Sequence, residues 1–469
     1  MEQTGLIAAI DFGSSKIIVM VGRKNREGKL SILDNEEVES GSCIRRGRIY
    51  NLDEVQKKVR DLVWKLEHRL SLKIEKMYAG LGGQSLQTEL CTVIKDFSGD
   101  GEATITEELI QSLRVECESY ERDVEVLDIV SAEFYLDDNN LPETDPVGKT
   151  CSSLEVHFKL IVAQPAVKKL SFNSLEKAHI DVAGYVISPI ATANAVLSKE
   201  DKMDGCALVE IGAEITYVSI YKQGVLKQLN TIPLGGDVIT KDIASLKIPL
   251  KEAEKLKIEY GNAIANPDEG TQKIRIQHPE FNGPKEIERS LLDDIIEART
   301  AEIIANVEYH VRSSEYGKSL NAGIILTGGG SRLNKMRAAL KNNFKSAVRL
   351  AVPDSQHFQK PEEQYNHPAY SEIIGILLAG TENCTKEKEV VETIVSPPPP
   401  TEEKRWKQRQ QSLFGDDEVE VQKKPKREKD TPSKKSFIGI IKDKVDIFAG
   451  NLFDSNTNEQ ESDNIENKP

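Results

Sequence analysis

Short apolar runs broken by turn-forming residues open the chain. Residues 6–10 are continuously apolar and end on Asp11; Gly13-Ser14-Ser15 interrupts, and Lys16 opens a second, β-branched run. This pattern predicts a hairpin whose tip carries a carboxylate, small residues and an ammonium. Asn25-Arg26-Glu27-Gly28 then turns into a third strand at 29–40. Leu52, Val55, Val59, Leu62, Val63, Leu66 and Leu70 recur at helical spacing, and 74–80 reads as another strand. From 84 to 165, β-rich pieces at 86–94, 126–136 and 154–162 surround an acidic helix near 106–118, as in a small module inserted into a larger domain. A helix at 165–179 and a strand at 185–189 resume that domain.

The opening pattern returns at Cys206. Residues 207–221 again read strand, acid, glycine turn, strand, with Glu210 and Gly212-Ala213 at the turn, and a further strand follows at 225–233. An internal repeat at domain scale puts two hairpin tips face to face across a cleft. Leu234-Gly235-Gly236-Asp237 precedes a helix, 251–261 forms a second, 264–288 is polar and turn-rich, and 287–313 is a long helix. Residues 322–331 run a strand into Gly328-Gly329-Gly330, a bend that lets backbone approach a flat or anionic ligand. Tips of this kind leave N–H groups uncovered to wrap phosphate oxygens, although a Gly-Ser turn also serves an ordinary hairpin.

Composition narrows the classes. The 469 residues exceed one ordinary domain, and 62 Lys+Arg against 76 Asp+Glu give a net charge of −14, so the basic footprint of a nucleic-acid binder is missing. The six cysteines are scattered with no CxxC pair, which argues against zinc or a disulfide framework and for reduced cytoplasmic thiols. No signal-peptide pattern and no run of roughly 18 apolar residues stands out. A cytosolic chain is expected unless something anchors it.

Asp11-Phe12-Gly13-Ser14-Ser15-Lys16, Glu210-Ile211-Gly212-Ala213 and Thr327-Gly328-Gly329-Gly330 occur in the order and rough spacing of the actin/Hsp70/sugar-kinase ATP-binding superfamily. Over about residues 5–382 the chain resembles the FtsA family of bacterial cell-division proteins. The likeness includes 41–49, 79–83, 232–240, Ala253-Glu254 with Lys257 and Tyr260-Gly261, and 323–331. It implies an α/β, actin-like two-lobed ATPase fold with an inserted α+β subdomain, then a disordered linker and a C-terminal amphipathic helix. The implied divisions are 1–83 with 166–200 for the first lobe, 84–165 for the insert and 201–385 for the second lobe. Linker, helix and acidic tail follow at 386–435, 436–454 and 455–469.

The resemblance further implies ATP and Mg2+ as cofactors. Asp11 takes the magnesium-associated position; Gly13, Ser14, Ser15, Lys16, Gly212, Ala213 and Gly236 line the phosphates. Glu254 and Lys257 border ribose and adenine, and Gly328, Gly329 and Gly330 the adenosine. The implied function is a filament-forming protein that tethers FtsZ to the inner face of the cell membrane at the septum, with itself, FtsZ, the membrane surface and other division proteins as partners and no nucleic acid. Arg299 is the candidate contact for an acidic FtsZ peptide. The competing reading is an active ATPase or small-molecule kinase of the same superfamily, with Asp11 or Asp237 as catalytic carboxylate, although no sugar-binding signature accompanies it. A chaperone of the Hsp70 type would need a β-rich substrate domain after residue 382.

Three departures from the family pattern point to slow hydrolysis or none, so enzyme status stays open. Glu210 stands for the usual Asp, Glu214 adds a negative charge where polyphosphate is expected, and Asn194 occupies a position where actin-like chains place a water-orienting residue. Beyond Gly380 the composition breaks: 386–435 holds four consecutive prolines and charge blocks, as a disordered linker does. In 436–453, Phe437, Ile438, Ile441, Val445, Phe448 and Leu452 fall on one stripe at 100° per residue, with Lys434, Lys435, Lys442 and Lys444 available to anionic lipid. Asp443, Asp446, Gly439 and Gly450 weaken that helix, and a partner-binding helix is the alternative.

Overall fold

The computed structural model describes residues 5–387, except 100, 138, 140, 144, 267–271, 280–282 and 361–362. The stripe from Phe437 to Leu452, the rest of the expected linker and the acidic tail lie outside the described residues.

Strand β1 (Leu6–Phe12) pairs antiparallel with β2 (Lys16–Lys24), with Asp11 opposite Ile18. The apolar run predicted there is buried because both faces of the sheet are covered. Next come β3 (Leu30–Glu39), the small hairpin β4 (Ile44–Arg45) and β5 (Arg48–Ile49), then α1 (Leu52–Leu70). The Asn51 side chain caps α1 by accepting from the Glu54 N–H at 3.1 Å, and Val55, Val59, Leu62, Val63 and Leu66 are its buried face. The short strand β6 (Leu72–Ile74) and then β7 (Lys76–Leu81) follow.

The insert begins with β8 (Gln87–Asp96) and contains β9 (Ala103–Thr104), α2 (Glu107–Ser119), β10 (Glu125–Leu136), β11 (Thr150–Cys151) and β12 (Ser153–Ala163). Its sheet runs β10-β12-β8, and α2 packs over a separate core that includes Val93, Leu113, Cys117 and Phe158. Helix α3 (Ala166–Lys177) and β13 (Asp181–Ile187) return to the first lobe, whose sheet reads β13-β7-β1-β2-β3.

The strand expected at 185–189 ends earlier. Ser188 and Pro189 open helix α4 (Ser188–Val196), because proline fits a first helical turn where no N–H partner is needed. A short α5 (Lys199–Asp204) leads into the second lobe. There β14 (Cys206–Ile211) pairs antiparallel with β15 (Thr216–Lys222), Glu210 opposite Tyr217, and β15 with β16 (Val225–Ile232). Helices α6 (Gly236–Ala244) and α7 (Leu250–Tyr260) follow. The segment expected to be only turn-rich contains a hairpin, β17 (Lys273–Ile276) and β18 (Lys285–Glu288), and the long helix α8 is Arg289–Arg312. Then come β19 (Gly323–Thr327), α9 (Met336–Phe344), β20 (Val348–Leu350), α10 (Ser371–Ala379) and β21 (Thr385–Glu387).

The second lobe's sheet reads β16-β15-β14-β19-β20. Read from its parallel edge it matches the first lobe: two parallel strands, a central strand, then two antiparallel ones. Both central strands carry an acid as their next-to-last residue, Asp11 and Glu210, just before a glycine turn. The internal repeat is therefore a repeat of topology.

Helix α10 lies within the 201–385 span expected for the second lobe, but it packs with α4 against the first lobe's strands. At their crossing a Cβ on Gly375 would lie 1.9 Å from the Ala191 carbonyl oxygen, so the helices touch backbone to backbone. Gly375→Ala should therefore force them apart and cost about 3 kcal/mol or more. Thermal unfolding of the purified variant should fall by several degrees, and an unchanged midpoint would refute the close approach.

Candidate functional site

Between the lobes lies a cleft of about 660 Å³. Asp11, Gly13, Ser14, Ser15 and Lys16 line it from the first hairpin, and Gly212, Ala213 and Gly236 from the second lobe. Glu254, Lys257, Gly328, Gly329 and Gly330 complete the same wall. The residues that the sequence singles out as ligand-binding thus converge on one space, within the size range of small-molecule sites.

Local hydrogen bonds fix each loop. The Ser40 hydroxyl donates to the Gly13 carbonyl at 2.6 Å, and the Ser40 N–H to the Ser15 carbonyl at 2.8 Å. In the second lobe the Gly236 N–H donates to Gly212 O at 2.9 Å and the Asp237 N–H to Ala213 O at 2.7 Å, which locks the α6 start onto the hairpin. Gly328 has φ of 85°, and a Cβ there would sit 2.5 Å from the Ile211 oxygen, so the third loop needs glycine to reach the second hairpin. Lys257 donates to Gly236 O at 3.0 Å and to the Thr240 hydroxyl at 2.8 Å, and pairs with Glu254 at 2.7 Å. Lys16 pairs with Glu37 at 2.6 Å and lies 4.8 Å from the Tyr370 ring centroid. Ile239, Ile258 and Leu333 add an apolar wall beside Glu254 and Lys257.

The cleft floor holds three carboxyls, Glu210 buried and Asp11 and Glu372 (the latter at the start of α10) half-buried. Burial, then the charges of Glu372 and Glu210, push Asp11 well above the carboxylate range, with Lys16 opposing. Burial, then Glu372, does the same to Glu210, and burial raises Glu372 against hydrogen bonds from Ser188 and Asp11. Glu210 is 7 % exposed and lines the cleft, and among the described residues its buried Oε2 has no hydrogen-bond partner. Such an atom is costly unless a ligand, proton or cation meets it.

Two expectations are corrected here. Asn194 is on the exposed side of α4, where its Oδ1 accepts from Lys202 at 2.8 Å; Ser188 is the α4 residue that lines the cleft. A helix shows only one face to the cleft, and Asn194 is on the other. Glu214 does not line the cleft either: its two oxygens accept from the Arg46 N–H at 2.6 Å and from Lys241 at 3.1 Å. Its charge is answered by these donors and does not point at the space for an anion. Arg299 sits on α8, forked onto Asp242 at 2.6 and 3.1 Å and paired with Glu302. The sequence reading missed Glu372, Ser188, Arg48 and Arg332, all of which line the cleft. An acid in a first helical turn is too ordinary a feature for Glu372 to stand out.

Residues 207–375 match the family model described as cell division protein FtsA, and 83–162 match the SHS2 domain inserted in FtsA. The cell division protein FtsA of Porphyromonas gingivalis is 34% identical over 340 residues, 72% of this chain and 70% of that one. The chain belongs to the FtsA family. The FtsA of Pseudomonas aeruginosa is 26% identical, covering 80% of this chain and 89% of its own. That of Bacillus subtilis is 25% identical, with 77% and 82% covered. Among solved structures, a PilM-PilN type IV pilus biogenesis complex chain superposes with a TM-score of 0.54 at 16% identity, over 80% of this chain and 98% of that chain, a likeness of fold alone. This FtsA family member thus has the actin-like α/β fold, and its SHS2 match falls on the insert between β7 and α3.

The carboxyl floor makes a signed prediction. Raised folded-state values mean that the folded protein holds protons more tightly than the unfolded chain. That stability is present below the ordinary carboxylate range and is lost as pH rises through the raised values. In buffer free of metal and nucleotide, Glu372→Gln should therefore be more stable than wild type at neutral pH, by about 1–2 kcal/mol. The advantage should shrink on acidification, and melting curves across pH that stay parallel would contradict it.

Proposed function

We propose that this FtsA-family chain holds ATP with magnesium in the interlobe cleft and works as a filament-forming tether between FtsZ and the cytoplasmic membrane at the septum. The observation that supports the nucleotide part is the convergence of two hairpin tips and a triple-glycine loop on one cleft with an unmet buried carboxylate oxygen. In this reading the tips at Gly13–Ser15 and Gly212–Ala213 receive phosphates, and Lys16 moves its charge from Glu37 to them. Glu254, Lys257 and the Ile239, Ile258 and Leu333 wall take ribose and base. Among the described residues no three acid, His or Cys side chains are arranged to hold a metal themselves. Magnesium would therefore enter with the phosphates, as is usual for that ion, with Asp11 holding its water. The ion would offset the charge of the carboxyl floor.

Calorimetry with Mg2+ and ATP should give measurable binding, weakened about tenfold or more by Lys16→Ala, which removes a charge-assisted contact. Equal affinity of the variant would remove Lys16 from the site. One observation favours the enzyme reading: Asp237 lines the cleft, and burial, the leading cause, raises its pKa above the ordinary carboxylate value, the direction that makes a carboxylate a better proton acceptor. Phosphate release of several per second, lost in Asp237→Asn with nucleotide affinity kept, would select that reading over the tether.

For FtsZ, an acidic peptide at Arg299 would compete with Asp242 and Glu302, so neighbouring positions of α8 must supply much of the affinity. Among the described residues no helix is long and apolar enough to cross a membrane. Attachment is assigned to the stripe Phe437, Ile438, Ile441, Val445, Phe448 and Leu452, which lies outside them. Full-length protein should co-sediment with anionic vesicles at low salt, and Ile441→Asp with Phe448→Asp should release it. Wild type left in the supernatant would dismiss the anchor.

A further inference from the structure

The β4–β5 hairpin turns through Arg46 and Gly47, with φ of 48° and 70°, both left-handed as a two-residue hairpin turn requires. Its two N–H groups point away from its own strands. The Gly47 N–H donates to the Ser14 hydroxyl at 2.8 Å, and the Arg46 N–H to Glu214 Oε2 at 2.6 Å. Ser14 belongs to the tip of the first hairpin and Glu214 to the tip of the second. One turn of the first lobe is thus tied to both tips and, through Glu214, to the other lobe. Lys241 holds the second oxygen of Glu214 at 3.1 Å, and the Glu214 side chain is only 16 % exposed. On its far side the turn is wedged: a Cβ on Gly47 would meet Gly83 Cα at 2.6 Å and Ile215 Cδ1 at 3.4 Å.

We propose that Glu214 is a positioning residue that, through the Arg46-Gly47 turn, sets the preference of the cleft for a nucleoside triphosphate over a diphosphate. The inference rests on the nucleotide reading above. A hydroxyl has one proton and two acceptor positions. With the Gly47 N–H occupying an acceptor position of Ser14, the Ser14 proton is free to be donated, and Ser14 lines the cleft. Ser14 therefore keeps a donor for the cleft between the two tips, the space that receives the outermost phosphate in the nucleotide reading. A diphosphate leaves that last position unfilled and gains little from that donor. Glu214 supplies the anchor that keeps the turn in place, and its carboxylate matches an N–H and an ammonium at once.

The test is calorimetry on the full chain with Mg2+ and either ATP or ADP, for wild type, Glu214→Ala, Glu214→Gln and Lys241→Met, with melting curves to establish folding. Glu214→Ala should lose about tenfold in ATP affinity and less than about twofold in ADP affinity, the size of one charge-assisted hydrogen bond. Glu214→Gln keeps an acceptor for the Arg46 N–H and should recover most of the loss. Should Glu214→Ala fail to fold, Lys241→Met, which removes only the outer partner, should show the same ATP-selective loss at smaller size. Equal losses for ATP and ADP, or no loss in folded variants, overturn the inference while leaving nucleotide binding standing. Wild type that binds neither nucleotide overturns both.

Discussion

Two helices cross beneath the cleft with no room for a side chain between them, and much of the molecule is placed by that contact. Gly375 lets α10 lie on the Ala191 backbone of α4, although α10 comes after the second lobe's sheet in sequence and packs on the first lobe. Helices pack by interlocking surface ridges, so a crossing where one helix has no Cβ lets the two backbones touch and holds their separation tightly. Ser188 and Glu372 leave the first turns of these helices and enter the cleft floor. The same crossing therefore fixes two helices on the first lobe's sheet and delivers polar groups to the bottom of the site.

Those groups meet Asp11 and Glu210 from the two central strands, and the floor becomes electrostatically costly. A buried carboxylate needs a partner, a proton or a cation, and here burial of all three favours the protonated forms. Lys16 is the cation near enough to oppose this for Asp11, and Glu37 already engages it. A cation brought close to this floor would favour the ionised forms again, and an anion alone would favour the protonated forms further.

The fold was largely legible from residues 6–16 and 206–212, because a strand that ends on an acid and a glycine turn leaves a pattern that local chemistry dictates. The α1 stripe was equally clear, as its spacing is that of a buried helical face. What escaped were features whose cause is tertiary. Pro189 could have been placed in a first helical turn, but the apolar residues before it looked like a continuing strand. The β17–β18 hairpin is short and polar, with little periodicity to mark it. Glu372 and Glu214 misled in opposite directions. One is an ordinary first-turn acid carried into the site by a helix crossing; the other is an acid at a phosphate loop whose side chain is drawn aside by the Arg46 N–H and Lys241. Neither direction can be read from spacing, since both depend on elements distant in sequence.

The lobes are joined at their lips, and the strength of those joints decides how a ligand can act. The Arg46 N–H reaches Glu214, and the Gly83 N–H donates to the Tyr217 hydroxyl at 2.6 Å. From the insert, Thr88 Oγ1 accepts from the Leu229 N–H at 3.0 Å, Leu86 O accepts from Thr231 at 2.6 Å, and Glu133 pairs with Lys227 at 3.0 Å. Each such bond is worth about 1 kcal/mol net, so together they resist separation by about 5 kcal/mol. A ligand that binds only the closed form contributes about 4 kcal/mol at a thousand times its dissociation constant. The two magnitudes are comparable, so the spacing of the lobes is neither locked nor free. Because three of the five bonds belong to the insert, a change of lobe spacing must also be felt at β8 and β10.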